Sequence, residues 1–160
     1  MLPEMKTSAT GAFAIFIAFA ADQATKAIVV ANAETLLNGF PIIPGFNLTY
    51  HRNDGMTFGL LSGTPWWALA GLAIAVCAWL SVLMYQAANK VEAAAYGAII
   101  GGAFGNITDR LRFQGVTDFL DFYVGTAHWP TFNMADVFVV CGVGMLLIVP
   151  KFWQSHRTDP

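Results

Sequence analysis

The sequence predicts an all-α membrane protein, four transmembrane helices in a single domain over residues 1–160, with a small β element on the membrane surface between the first two helices. Three observations predict it. Hydrophobic residues make up 56% of the chain, with a mean hydropathy of +0.56. Charged residues make up 11%, against about 25% in a soluble domain, so most side chains must face something other than water. Finally, four apolar runs approach the roughly 20 helical residues that cross a hydrocarbon core about 30 Å thick.

The first run, residues 11–31, is apolar to Ala21, carries Asp22 and Lys26, and resumes with Ala27-Ile28-Val29-Val30. A cleavable signal peptide, with Lys6 as its basic flank and Ala18-Phe19-Ala20 as a small-residue site, is the competing reading. Apolarity beyond Lys26 favours a retained span. The second, residues 65–85, has no charge, starts at Pro65 and places Trp66-Trp67 where an interfacial aromatic belt belongs. The third, residues 91–108, is less apolar, but Gly97, Gly101 and Gly105 recur every four residues and let a neighbouring helix approach its backbone. It is expected at the centre. The fourth, residues 135–153, ends in Pro150, Lys151, Phe152 and Trp153, a breaker followed by an interfacial anchor.

The β element is expected over residues 40–62. Residues 46–51 alternate apolar and polar, Asn53-Asp54-Gly55 supplies turn chemistry, and residues 56–61 are expected to return as a second strand. Residues 155–160 read as a disordered tail. Four spans place both termini on one side and the segments 32–64 and 109–134 together on the other. The distribution of Lys and Arg barely decides which side is cytoplasmic.

Composition also excludes. A net charge of −2 without a basic cluster argues against a nucleic-acid partner. Cys77 and Cys141 both lie inside apolar runs and read as packing residues. The histidines, His51, His128 and His156, do not pair at metal-ligand spacing, and with Cys77 and Cys141 inside spans, Ser-His and Cys-His catalysis find less support than paired carboxyls. His128, beside Trp129 and Pro130, reads as an interfacial loop residue. No metal and no cofactor is expected.

Charges at membrane depth are costly unless paired or hydrated. Asp22 and Lys26 are four apart and can neutralise each other on one helix face. Asn106 and Asp109 share a face of the third run, and Asp109-Arg110 reads as a structural clamp. Asp121 reads as a loop carboxylate facing headgroups and water, and Asp136 as a helix N-terminal acid capped by Asn133. Each reading suffices for its own residue, yet none explains why carboxylates and carboxamides gather on one side. Catalysis does: two close carboxyls cannot both ionise easily, so one keeps a proton while the other activates water.

Five segments, in order, resemble the signature blocks of the lipoprotein signal peptidase (signal peptidase II) family. They are Asp22-Gln23-Ala24-Thr25-Lys26, the stretch from Phe46 to Gly55, the stretch from Gly101 to Arg110, Val116-Thr117-Asp118-Phe119 and Phe132-Asn133-Met134-Ala135-Asp136. The resemblance implies a membrane aspartic endopeptidase that cleaves bacterial prolipoproteins before a diacylglyceryl-modified cysteine. It implies Asp118 and Asp136 as the catalytic pair, and Asn53, Gly55, Asn106, Asp109, Arg110 and Asn133 as residues that shape the site or hold substrate. Asp22 and Lys26 map onto a structural pair. It further implies an inner-membrane protein with both termini cytoplasmic, an extracytoplasmic β element, a site near the periplasmic face, and lipidated precursors and membrane lipid as partners; a monomer is expected, though sequence does not decide the oligomeric state. Asp54, Met56 and Thr57 depart from the commoner pattern, which leaves substrate preference more in doubt than chemistry. The alternative is a small proton-coupled transporter, against which the grouping of the acids near one interface and the lack of repeated halves both weigh.

Overall fold

The computed structural model describes residues 5–55 and 64–155. In chain order the elements are α1 (Met5–Ala31), α2 (Ala33–Leu36), β1 (Phe40–Ile43), β2 (Phe46–Asn53), α3 (Trp66–Tyr85), α4 (Lys90–Phe113), β3 (Val116–Val124), β4 (Ala127–His128) and α5 (Met134–Ser155). Each long helix coincides with one of the apolar runs. Two of them, over Thr7–Ala31 and Trp66–Tyr85, are long and apolar enough to cross a membrane, while the apolar part of α5, Met134–Ile148, is shorter.

Helix α4 is central and packs against α1, α3 and α5. Its glycines make that possible: a Cβ on Gly97 would strike Gly11 O, and one on Gly101 would lie 2.5 Å from Ile15 O, so α1 lies directly on this face. Gly102 serves the opposite neighbour, since its Cβ would meet Ala135 O of α5 at 2.5 Å. Cys77, Leu80, Ile99, Ile100 and Ile107 form a core between α3 and α4. The other faces of α1 and α3 are apolar and exposed, with Phe13, Phe16, Ile28, Trp67, Leu72 and Trp79 pointing outward.

The β structure is larger than expected and differently wired, so the chain is not all-α. One antiparallel sheet runs β1-β2-β3-β4, and half of it comes from the segment after α4. The first five residues of β3 are buried or nearly so. A strand covered on both faces lacks the alternation that announces a strand in sequence. β2 pairs with β1 through a turn containing Gly45, whose φ of +88° favours glycine, and with β3 from Phe46↔Phe122 to Asn53↔Val116. The return strand expected at 56–61, with Met56 and Thr57, and the tail at 156–160 lie outside the described residues. Val29, Leu36 and Phe119 fill the space between sheet and helices.

Candidate active site

Asp22 and Lys26, 0% and 3% exposed, are buried between α1 and α4. Lys26 Nζ lies 2.9 Å from Asp22 Oδ2 and 3.3 Å from Asp109 Oδ2, and donates to Asn106 Oδ1 at 2.8 Å. The expected pair is therefore a triad. Asp22 Oδ1 accepts the backbone N–H of Ala135 at 2.9 Å, and Asp109 Oδ2 accepts that of Thr117 at 2.9 Å. Two carboxylates of the cluster thus pin the start of α5 and the start of β3, the two elements that carry Asp136 and Asp118.

Asp136 stands in the first turn of α5. Asn133 Oδ1 accepts from Asp136 N at 3.2 Å and Asp136 Oδ2 accepts from Asn133 N at 3.1 Å, a reciprocal capping box. The Asn133 cap expected from the sequence is present, but the same Asn133 also donates through Nδ2 to Asp118 Oδ1 at 2.7 Å. Asn53 Nδ2 holds the other Asp118 oxygen at 2.9 Å. Asn106 completes the link, donating to Asp136 Oδ1 at 3.1 Å and accepting from Asn133 Nδ2 at 3.2 Å. Asp118 and Asp136, 18 positions apart in sequence, are thereby tied together through Asn133 and Asn106.

Burial pushes the Asp118 carboxyl up to about 6. The hydrogen bond from Asn53 pulls it down, the charge of Asp136 pushes it up, and Asn133 and Lys26 pull it down. It therefore keeps its proton to a higher pH than an ordinary carboxyl, up to about 6.

Asp118, Asp136, Asn53, Gly55, Asn106, Arg110 and Asn133 line one end of a cavity of about 550 Å³. Its other end is apolar, built by Leu69, Ala73, Val76 and Leu80 of α3, Ile99 and Ala103 of α4, and Val139 of α5. Those apolar residues had no signal in the sequence, where they look like any other lipid-facing side chains. The arrangement suits a substrate with a peptide group at the polar end and a greasy portion at the other.

Several expectations need correcting. Asp109 and Arg110 do not form a clamp. Successive helical residues point about 100° apart, so Asp109 faces Lys26 while Arg110 faces the cavity. There Arg110 donates to Asn106 O at 3.3 Å and to Gly55 O at 3.4 Å. Asp121 is no loop acid: at 7% exposure it accepts from Asn47 Nδ2 at 2.9 Å and meets His128 Nδ1 at 2.7 Å. His128 therefore belongs to the sheet, where it also stacks on Tyr123. Among the described residues no group of three or more His, Cys, Asp or Glu side chains is placed to hold a metal ion.

The profile of the signal peptidase (SPase) II family matches residues 14–152. The chain is 43% identical over 139 residues to the lipoprotein signal peptidase of Serratia proteamaculans, covering 84% of this chain and 82% of that protein. It is 41% identical over 142 residues to that of Photorhabdus laumondii, covering 86% and 84%. Among solved structures, it resembles a bacterial membrane enzyme determined in meso at 2.3 Å resolution, with a TM-score of 0.79 and 28% identity over 99% of this chain and 96% of that one. A second such structure, at 1.9 Å resolution, gives a TM-score of 0.71 and 30% identity over 92% and 94%.

Proposed function

The chain belongs to the signal peptidase II family, and from that premise we propose an aspartic mechanism run by Asp118 and Asp136. It is a membrane protease that removes signal peptides from prolipoproteins. The reading of the catalytic type rests on one observation: buried Asp118 and half-buried Asp136 are both bonded to Asn133, with Asn106 bridging Asn133 and Asp136, at the polar end of a cavity whose other end is apolar. Asp118, protonated, donates to the scissile carbonyl. Asp136, ionised, takes a proton from a water that attacks the carbonyl carbon. A proton then passes to the departing nitrogen, the C–N bond breaks, and the products are the signal peptide's carboxyl end and the free amine of the next residue. In this reading that residue is a cysteine carrying a diacylglyceryl group, whose acyl chains take the apolar end. Asn53 and Asn133 orient Asp118, Arg110 holds the Gly55 backbone beside it, and Asp22, Lys26 and Asp109 fasten the helices beneath.

Four helices, α1, α3, α4 and α5, cross the membrane in this reading. At 24 residues α4 is about 36 Å long. Because three other helices surround it, it meets little lipid and needs little hydrophobicity. The termini then lie in the cytoplasm, and the sheet and the acids at the periplasmic face of the inner membrane. Family membership sets the carrier alternative aside.

Asp118→Asn and Asp136→Asn test the mechanism. Each is expected to slow cleavage of a lipidated precursor on the order of 10²–10⁴-fold or more, with the purified protein still folded. Full activity in either variant overturns the assignment. An unlipidated precursor, run in parallel with wild type, is expected to be cleaved far more slowly.

A further inference from the structure

The ammonium of Lys26 has three N–H bonds, and three acceptors surround it: Asp22 Oδ2 at 2.9 Å, Asp109 Oδ2 at 3.3 Å and Asn106 Oδ1 at 2.8 Å. Two of these neutralise charge. The third does something else. A carboxamide turned end for end keeps its shape but exchanges donor for acceptor, and Asn106 sits where the choice matters. Its oxygen receives both Lys26 and Asn133 Nδ2, which leaves its NH₂ on Asp136 Oδ1 at 3.1 Å. Flipping it would set an NH₂ against an ammonium and an oxygen against a carboxylate. While Lys26 is charged, Asn106 therefore has one orientation, the one that gives Asp136 a donor.

That donor adds to a second. Asp136 Oδ2 accepts the backbone N–H of Asn133, and the acid lies in the first turn of α5, where the helix dipole favours a negative charge. Asp118 has two donors of its own but lies deeper, at 2% exposure, in an extended strand that provides no such dipole. We propose that Lys26 is a positioning residue for the reaction, acting through Asn106 to keep Asp136 the ionised member of the pair. This rests on the reading of Asp118 and Asp136 as the reacting acids. The charged groups coupled to Asp136 are Asp118 on β3 and Arg110 on α4; Asp22 and Lys26 on α1 and Asp109 on α4 form the cluster that reaches it through Asn106, and α3 contributes no charged side chain.

Removing Lys26 alone strands two buried carboxylates, so the test uses Asp22→Asn/Lys26→Met, which removes the cation with one partner. For folded enzyme the expected result is a kcat lowered about tenfold or more with KM within about threefold. The acid limb of the kcat/KM profile should move up by about one pH unit, because the reacting base loses the donor that Asn106 supplies. A merely structural role lowers thermal stability and yield and leaves that limb in place, so an unmoved limb in folded enzyme overturns the inference. If the double variant does not fold, Asn106→Ala, which removes the donor and leaves Lys26 with Asp22 and Asp109, is measured instead, with the same shift expected and the same result overturning it. Asp136→Asn run beside it separates the two claims. If it retains cleavage, the pair assignment fails; if it is inactive while the limb stays put, only the role of Lys26 fails.

Discussion

Asp118, buried beside a second acid, holds its proton up to about pH 6, and the sign of its effect on stability follows. The folded value lies above the ordinary 3.8, so between about pH 4 and 6 the folded chain keeps a proton that the unfolded chain has released. The stabilisation is complete below about pH 4 and is lost as the pH rises through about 6, up to about 3 kcal/mol in all. Whatever fixed offset Asp118→Asn introduces, the wild type should therefore gain on that variant as the pH falls from about 7 to about 4. Melting both in detergent across that range checks it, and a constant difference would contradict it. His128 offers a contrast. Its side chain is 53% exposed against Asp121, so His128→Ala should cost about 1 kcal/mol or less and leave cleavage of a lipidated precursor unchanged within about twofold.

At the scale of elements, the α1–α4 contact sets the positions of the buried charges. A Cβ on Gly101 would meet the Ile15 carbonyl at 2.5 Å, whereas one on Gly71, on the outer face of α3, meets nothing within 4 Å. Gly101→Ala should destabilise by about 1–3 kcal/mol or more and slow cleavage as Lys26 and Asn106 part. Gly71→Ala should be neutral or gain a few tenths of a kcal/mol. Thermal melts with activity on the same samples distinguish the two. The glycine spacing, Asp22 with Lys26, and the cap at Asn133 could be read directly from sequence, because each depends on residues three or four apart on one helix. Strand β3 could not be, since burial on both faces erases its alternation and its partner β2 lies more than 60 residues earlier. For the same reason the partners of Asp121 were hidden: Asn47 is 74 positions away, and only the β2–β3 register brings it near.

For the molecule as a whole, the cavity joins a polar end at the sheet to an apolar end among α3, α4 and α5. Ala73→Trp, which narrows the apolar end without touching the acids, should raise KM for a lipidated precursor about tenfold, ~1.4 kcal/mol of binding, with kcat little changed; a fall in kcat at constant KM would argue that the acyl chains bind elsewhere. The bond from Ala135 N to Asp22 Oδ1 spans 113 positions, so the ribosome must supply nearly the whole polypeptide after Asp22 before that carboxylate finds its amide. A nascent chain halted before α5 has no Asp136 and no lock on the helix that carries it. On the proposed mechanism such a fragment cannot cut, because the second acid and the amide that Asp22 receives both arrive with α5.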